Sequence, residues 1–119
     1  MPYYESMFGG GNYSTSEVKT GKHWIDGKPI YRKVIDFGAL PNASIKAVNH
    51  GITNAAQFIS ATGIINQGGG QYTFLPCPNP TIEYTMAIWV DGTKVTIKTG
   101  DNRTSSTAYA FLEYTKTTD

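Results

Sequence analysis

"EYTMAIWVDGTKVTIKT", residues 83–99, decides the fold class. In its second half Val95 and Ile97 alternate with Lys94, Thr96 and Lys98. Successive side chains of a strand point to opposite faces, so this pattern describes a strand with one face on a core and the other in water. The first half alternates too. Tyr84, Met86, Ile88 and Val90 share one face, and Thr85, Ala87 and Trp89 the other. Asp91-Gly92 between the halves predicts a type I′ hairpin turn, in which both central residues take positive φ.

The same device recurs in "HWIDGKPIYRKVIDF", residues 23–37. Asp26-Gly27 predicts a second type I′ turn, and residues 28–37 a strand. Tyr31, Ile35 and Phe37 lie on one of its faces, Ile30 and Val34 on the other. Further strands are expected at 44–50, at 57–65 with a bulge near Gly63, at 72–75, at 82–90 and at 107–116. The prolines of "PCPNP" (76–80) lack ladder donors and bar that stretch from a sheet interior. Residues 43–56 offer the one helical alternative, weakened by Gly51 and β-branched neighbours. The expectation is an all-β fold: an antiparallel β-sandwich, jelly-roll-like or Ig-like, of about 7–8 strands with a flexible N-terminal arm.

Composition agrees. The 119 residues suit one domain; 16 % are charged, 13 % aromatic, and eight are Tyr. A formal charge of +1 with no basic block argues against a nucleic-acid partner. Lys19, Lys22, Lys28, Arg32 and Lys33 come nearest to one, but strand alternation divides them between faces. The lone Cys77 allows no intrachain disulfide and reads as a small packing residue. No apolar run approaches the roughly 18 residues of a membrane span, so no membrane insertion is expected. "MPYYESMFGGGN" lacks the basic and apolar regions of a signal peptide, which implies synthesis in a cytoplasm. Asn12, Asn42 and Asn102 begin N-x-S/T triplets that read as turn chemistry.

Chemistry-bearing patterns are sparse. His23 and His50 are the only histidines, and neither has metal-ligand spacing to Cys77 or to carboxylates. His50 reads as a turn or packing residue. "QGGGQ" (67–71) lacks the ending and the following helix of a phosphate loop. The carboxylates are scattered, with Asp26 and Asp91 in turns and Glu83 and Glu113 in strands. A hydrolase would need a clustered acid pair. No catalytic residue, metal ligand or cofactor is expected, and the chain is not read as an enzyme.

The chain divides into residues 1–17, an N-terminal docking arm with a glycine hinge, and 18–119, the β-domain. Tyr3, Tyr4, Met7 and Phe8 are an odd choice for permanent exposure and mark an arm that docks on another chain. Strands 82–90 and 107–115 carry large apolar groups on both faces. One sandwich buries only one face of each sheet, so the second face needs a cover, and a symmetric homo-oligomer is expected. Tyr31, Trp89, Tyr109 and Phe111 are the candidate subunit contacts. Gln71, Tyr72, Asp101, Asn102 and Arg103 are candidate ligand residues, in loops whose Tyr and Asn suit a glycan.

Four blocks carry a family resemblance: "YSTSE" (13–17), "WIDGKPIYRK" (24–33), "WVDGTKV" (89–95) and "TAYAFLEYTKTTD" (107–119). Together they resemble a module recurrent in bacteriophage virion proteins of the tail-fibre, head-fibre and baseplate-associated kinds. The resemblance implies a β-rich structural or receptor-binding module, trimeric, resident in the virion, with capsid, tail or baseplate proteins as partners and a host surface glycan as an alternative ligand. It implies no catalytic residues. Family members often carry the module at the end of a long fibre chain. Here it begins at about Tyr13, which favours a small virion component such as a head-fibre, decoration or tail-cap protein.

Overall fold

The computed structural model describes residues 12–119, and the arm residues Tyr3, Tyr4, Met7 and Phe8 lie outside the described residues. Eight strands form there: β1 (Val18–His23), β2 (Pro29–Ala39), β3 (Ile45–Asn49), β4 (Ala55–Gly68), β5 (Gln71–Leu75), β6 (Met86–Val90), β7 (Lys94–Thr99) and β8 (Thr107–Lys116). All pairings are antiparallel. The sheets are a five-stranded β1-β2-β8-β4-β5 and a three-stranded β3-β7-β6. The last strand therefore sits at the centre of the larger sheet, paired along its length with both β2 and β4. This five-plus-three order settles the topology that the sequence left open.

The core lies between the sheets. β8 contributes Ala108, Ala110, Leu112 and Tyr114, β2 contributes Ile35 and Phe37, and the small sheet contributes Met86, Val95 and Ile97, all buried. Alternation selects these residues, and burial of each large side chain is worth about 1.5–3 kcal/mol. Beyond the small sheet the core continues through Phe58, whose ring lies 5.8 Å from Tyr114 and 5.4 Å from His50. His50 is buried as a packing residue. Its Nδ1 accepts from the Ile52 N–H at 3.0 Å, which leaves Nε2 as the donor to the Asp91 carbonyl at 2.9 Å.

Neither Asp-Gly pair forms a type I′ turn. At the first, Gly27 has φ +88° but Asp26 is not at positive φ. The Gly27 N–H bonds the Trp24 carbonyl and the Trp24 N–H bonds the Lys28 carbonyl, both at 2.9 Å. This is a three-residue loop ending in a left-handed glycine. At the second, neither Asp91 nor Gly92 takes positive φ. Asp91 Oδ1 instead accepts from the N–H groups of Thr93 and Lys94, each at 2.8 Å, so a side chain closes the loop. Those bonds favour the ionised form. They hold the Asp91 carboxyl below the usual carboxylate range, the Thr93 N–H contributing most.

Two other expectations are corrected. The bulges of β4 fall at 55–57, 58–60 and 66–68, and Gly63 is regularly paired with Leu75 and Ala110. A Cβ there would stand 3.0 Å from both Leu75 Cδ1 and the Tyr109 carbonyl oxygen, so a side chain would have to press these neighbours back. Residues Ile82–Tyr84 form a 3₁₀ turn, not the start of a strand. Gly100 packs beneath it, its N–H bonded to the Thr85 carbonyl at 3.1 Å.

Residues 13–17, assigned to the arm on composition, are fastened to the domain. The Val34 N–H bonds the Ser14 carbonyl at 2.8 Å. Glu17 accepts from the Tyr114 hydroxyl at 2.6 Å and from Lys116 Nζ at 2.8 Å.

Candidate assembly face

The side of the five-stranded sheet turned away from the core is also apolar. Cross-strand register sets Phe74, Ile64, Tyr109 and Asp36 in one row across β5, β4, β8 and β2. The adjacent row holds Thr62, Phe111 and Val34. On the other side of the first row stand Tyr72, Asn66 and Thr107. Tyr72, Phe74 and Tyr109 are 57 %, 64 % and 47 % exposed, which makes one contiguous aromatic surface and not scattered single residues.

Two hollows shape this face. One, of about 380 Å³, is lined by Tyr13, Ser14, Thr15, Val34, Tyr109 and Phe111 and is almost wholly apolar. The other, of about 430 Å³, is lined by Ile64, Asn66, Tyr72, Thr107 and Tyr109. Tyr109 is common to both. At the rim of the first, the Tyr13 ring meets Phe111 edge-on at 5.4 Å, and the Arg32 guanidinium lies 4.4 Å from the Tyr13 centroid. Arg32 is held by Glu113, its Nη2 and Nε donating to Oε2 at 2.9 and 3.1 Å. A cation over an aromatic face and its ion pair thus fix where Tyr13 sits.

The four candidate contacts divide among three surfaces. Tyr109 and Phe111 belong to the aromatic face. Trp89 stands on the outer side of the small sheet, opposite Thr96 and 41 % exposed. Tyr31 points to the inner side, stacked on Tyr114 at 6.0 Å with an interplanar angle of 15°. A hydrogen bond to the Asp119 carboxylate and partial burial push its hydroxyl pKa up to about 12. Tyr114 is raised as well, by burial first and then by Glu17.

The candidate ligand residues also separate. Tyr72 lines the second hollow, and Gln71 stands exposed at the start of β5. Asp101, Asn102 and Arg103 are engaged within the fold. Ala43 N–H bonds the Asp101 carbonyl at 2.8 Å, Arg103 N–H bonds that of Pro41 at 3.1 Å, and Asn102 bridges to Asn42. Asn102 Oδ1 accepts from the Thr104 N–H and hydroxyl, which is turn chemistry. Ile64, Phe74 and Tyr13 were not singled out on sequence. Phe74 shares the period of Tyr72, a legible signal, but its alignment with Ile64 and Tyr109 depends on a register that no single strand encodes.

Among the described residues no group of three or more His, Cys, Asp or Glu could hold a metal ion, and no helix is long and apolar enough to cross a membrane. The site defines a class: an all-β antiparallel domain of eight strands with an aromatic outer sheet face. No family model matches the chain, and no curated protein matches it. Among solved structures it is similar to an N-truncated R2-type pyocin tail fibre, with a TM-score of 0.44 and 10 % identity, over 81 % of this chain and 33 % of that one. The chain thus spans about a third of that fibre chain.

Proposed function

We propose that this protein is a non-catalytic structural component of a phage-type virion, tail-fibre-like in class, which assembles as a homo-oligomer through the outer face of its five-stranded sheet. The observation that carries assembly is the row of Phe74, Ile64 and Tyr109 with its apolar hollow beside it. Water contact over such a surface is costly, and burial against another chain removes that cost. The virion setting rests on the resemblance of the blocks at 13–17, 24–33, 89–95 and 107–119. A trimer is the favoured order, with attachment to capsid, tail or baseplate proteins through the N-terminal segment, in a head-fibre, decoration or tail-associated role. Mass spectrometry of purified particles tests the setting. The chain is expected at a fixed copy number per particle, and its absence from intact particles would overturn the reading.

A second reading is favoured by the hollow between Tyr72 and Tyr109. Two aromatic rings with Asn66 and Thr107 between them offer stacking and hydrogen bonds to a host-surface glycan. A glycan array on which binding disappears with Tyr72→Ala supports it, and an array with no signal removes it.

A further inference from the structure

The three-stranded sheet ends in an open edge. Among the described residues β3 pairs with β7 alone, in a register without a bulge. The Ser44 carbonyl accepts from the Thr99 N–H at 3.0 Å, and the His50 N–H bonds the Thr93 carbonyl at 3.1 Å. Alternation between those bonds turns the backbone N–H and C=O groups of Ile45, Ala47 and Asn49 away from β7. Among the described residues nothing bonds those groups, and all three residues are exposed. An edge of this kind is a template for one more strand. We propose that β3 takes an extended acidic peptide of a partner protein as an added strand. The proposal goes beyond the assembly reading and makes no use of the aromatic face.

Three observations carry the assignment. The first is the state of the edge. β1 is protected by a bulge between Lys19 and His23 and by exposed Lys19 and Lys22. β6 is bridged by Cys77, which exchanges two backbone bonds with Met86, both at 2.9 Å. β3 holds no Pro, Gly or bulge. Its one charge, Lys46, sits on the inner side opposite Ile97 and donates to the Phe37 and Ala39 carbonyls at 3.2 and 2.6 Å. An added strand therefore buries no unpaired cation. The second is charge. β3, β6 and β7 carry Lys46, Lys94 and Lys98 and no carboxylate. Lys98 stands beside Ile45 and Lys94 beside Asn49 on the outer side, both exposed. Among the described residues neither ammonium has a hydrogen bond or ion pair. In the adjoining loops Asp91 accepts from the Thr93 and Lys94 N–H groups and Asp101 from that of Asn102, while Glu83 precedes β6, at the opposite edge of the sheet. The third is reach. A strand added to β3 lies two spacings from β7, about 10 Å. Its outward side chains fall in the rows of Lys98 and Lys94, and extended lysine and glutamate side chains together span that distance. Its inward side chains follow half-buried Val48 and should be apolar. A peptide fits better than an acidic glycan, because it alone matches the alternating donors and acceptors of the edge. The chain's own Tyr13 lies on the outer face of the five-stranded sheet, across the core from β3.

The test uses the full chain and a fluorescein-labelled heptapeptide of alternating Glu and Val. Fluorescence anisotropy reads binding, and amide hydrogen exchange reads its place. The peptide is expected to bind and to slow exchange at Ile45, Ala47 and Asn49. Replacing its Glu residues by Lys, or Lys94→Glu with Lys98→Glu in the protein, is expected to weaken binding about tenfold or more. Ala47→Pro is expected to abolish binding with an unchanged circular dichroism spectrum, since the N–H it removes faces away from the ladder with β7. N-methylation of alternate peptide residues removes the same bonds with the protein unaltered, and is expected to abolish binding too. No binding at about 1 mM peptide, or equal binding of the Lys peptide, overturns the proposal. Binding that survives N-methylation also overturns it, and would show a surface that takes any polyanion, an acidic glycan included. Slowed exchange confined to residues outside β3 overturns it as well. None of these outcomes bears on the aromatic face.

Discussion

The Tyr114 hydroxyl donates to Glu17 Oε2 at 2.6 Å, joining the last strand to the stretch before the first. Tyr114 is fully buried, and the same carboxylate receives Lys116 Nζ at 2.8 Å. One bond therefore closes the end of the core and fixes where the chain before β1 lies on the sheet.

That bond predicts an alkaline limit to stability. The Tyr114 pKa is raised in the folded state, by burial first and then by Glu17. The contribution is complete below the ordinary tyrosine pKa of about 10 and is lost as pH rises from there towards the folded value, because only the unfolded chain ionises. Melting temperature should fall above about pH 10. Tyr114→Phe should weaken that fall and lower stability at pH 7 by about 1 kcal/mol. Equal alkaline slopes in the two proteins would contradict the bond's role.

Asp91 predicts the opposite limb. Its carboxyl pKa is depressed by the Thr93 and Lys94 N–H groups, so its contribution is present above the ordinary carboxylate pKa of about 4 and is lost as pH falls through the folded value. Asp91→Ala should lower the melting temperature at pH 7. Asp91→Asn, which keeps the acceptor oxygen, should lower it less. Below about pH 4 the wild type should converge towards the Asn variant.

The two Asp-Gly pairs should part company under mutation. Gly27 is at φ +88°, where an L side chain is strained, so Gly27→Ala should cost about 1 kcal/mol. Gly92 is not at positive φ and has open space around its Cβ position, so Gly92→Ala should be neutral or stabilising by about 0.4–1 kcal/mol. A type I′ turn at both sites would make the two substitutions equally costly. Chemical denaturation of the variants distinguishes the cases.

Gly100→Ala should be worse than either. A Cβ there would stand 2.1 Å from the Ile82 carbonyl, so the 3₁₀ turn at 82–84 must move. A loss of about 2 kcal/mol or more is expected. A stability change within about 0.5 kcal/mol would show that the turn yields freely.

The strands were legible wherever alternation was clean. Val95 and Ile97 against Lys94 and Lys98 could mean little else, and β8 has the limits its sequence implies. Turn type was not legible, because the Asp91 carboxylate competes with the backbone for the same N–H groups and the dipeptide does not record which wins. The apolar second face was visible in Tyr109 and Phe111. Its extent was not, since β8 enters between β2 and β4 from far along the chain, and only that placement brings Ile64 and Phe74 into register with Tyr109. Tyr31 and Trp89 shared the same large, aromatic character, yet the sheet arrangement sends them to other surfaces.

The central claim is that the aromatic face joins copies of this chain. Light scattering on the full chain, beside Tyr72→Ser/Phe74→Ser/Tyr109→Ser, tests it most directly, since these side chains are about half exposed and their loss should leave the fold intact. The account predicts an oligomeric mass for the wild type, three chains being the favoured number, and a monomeric mass for the variant with an unchanged circular dichroism spectrum. A monomeric wild type at tens of micromolar, or a variant that keeps the full oligomeric mass, would contradict it.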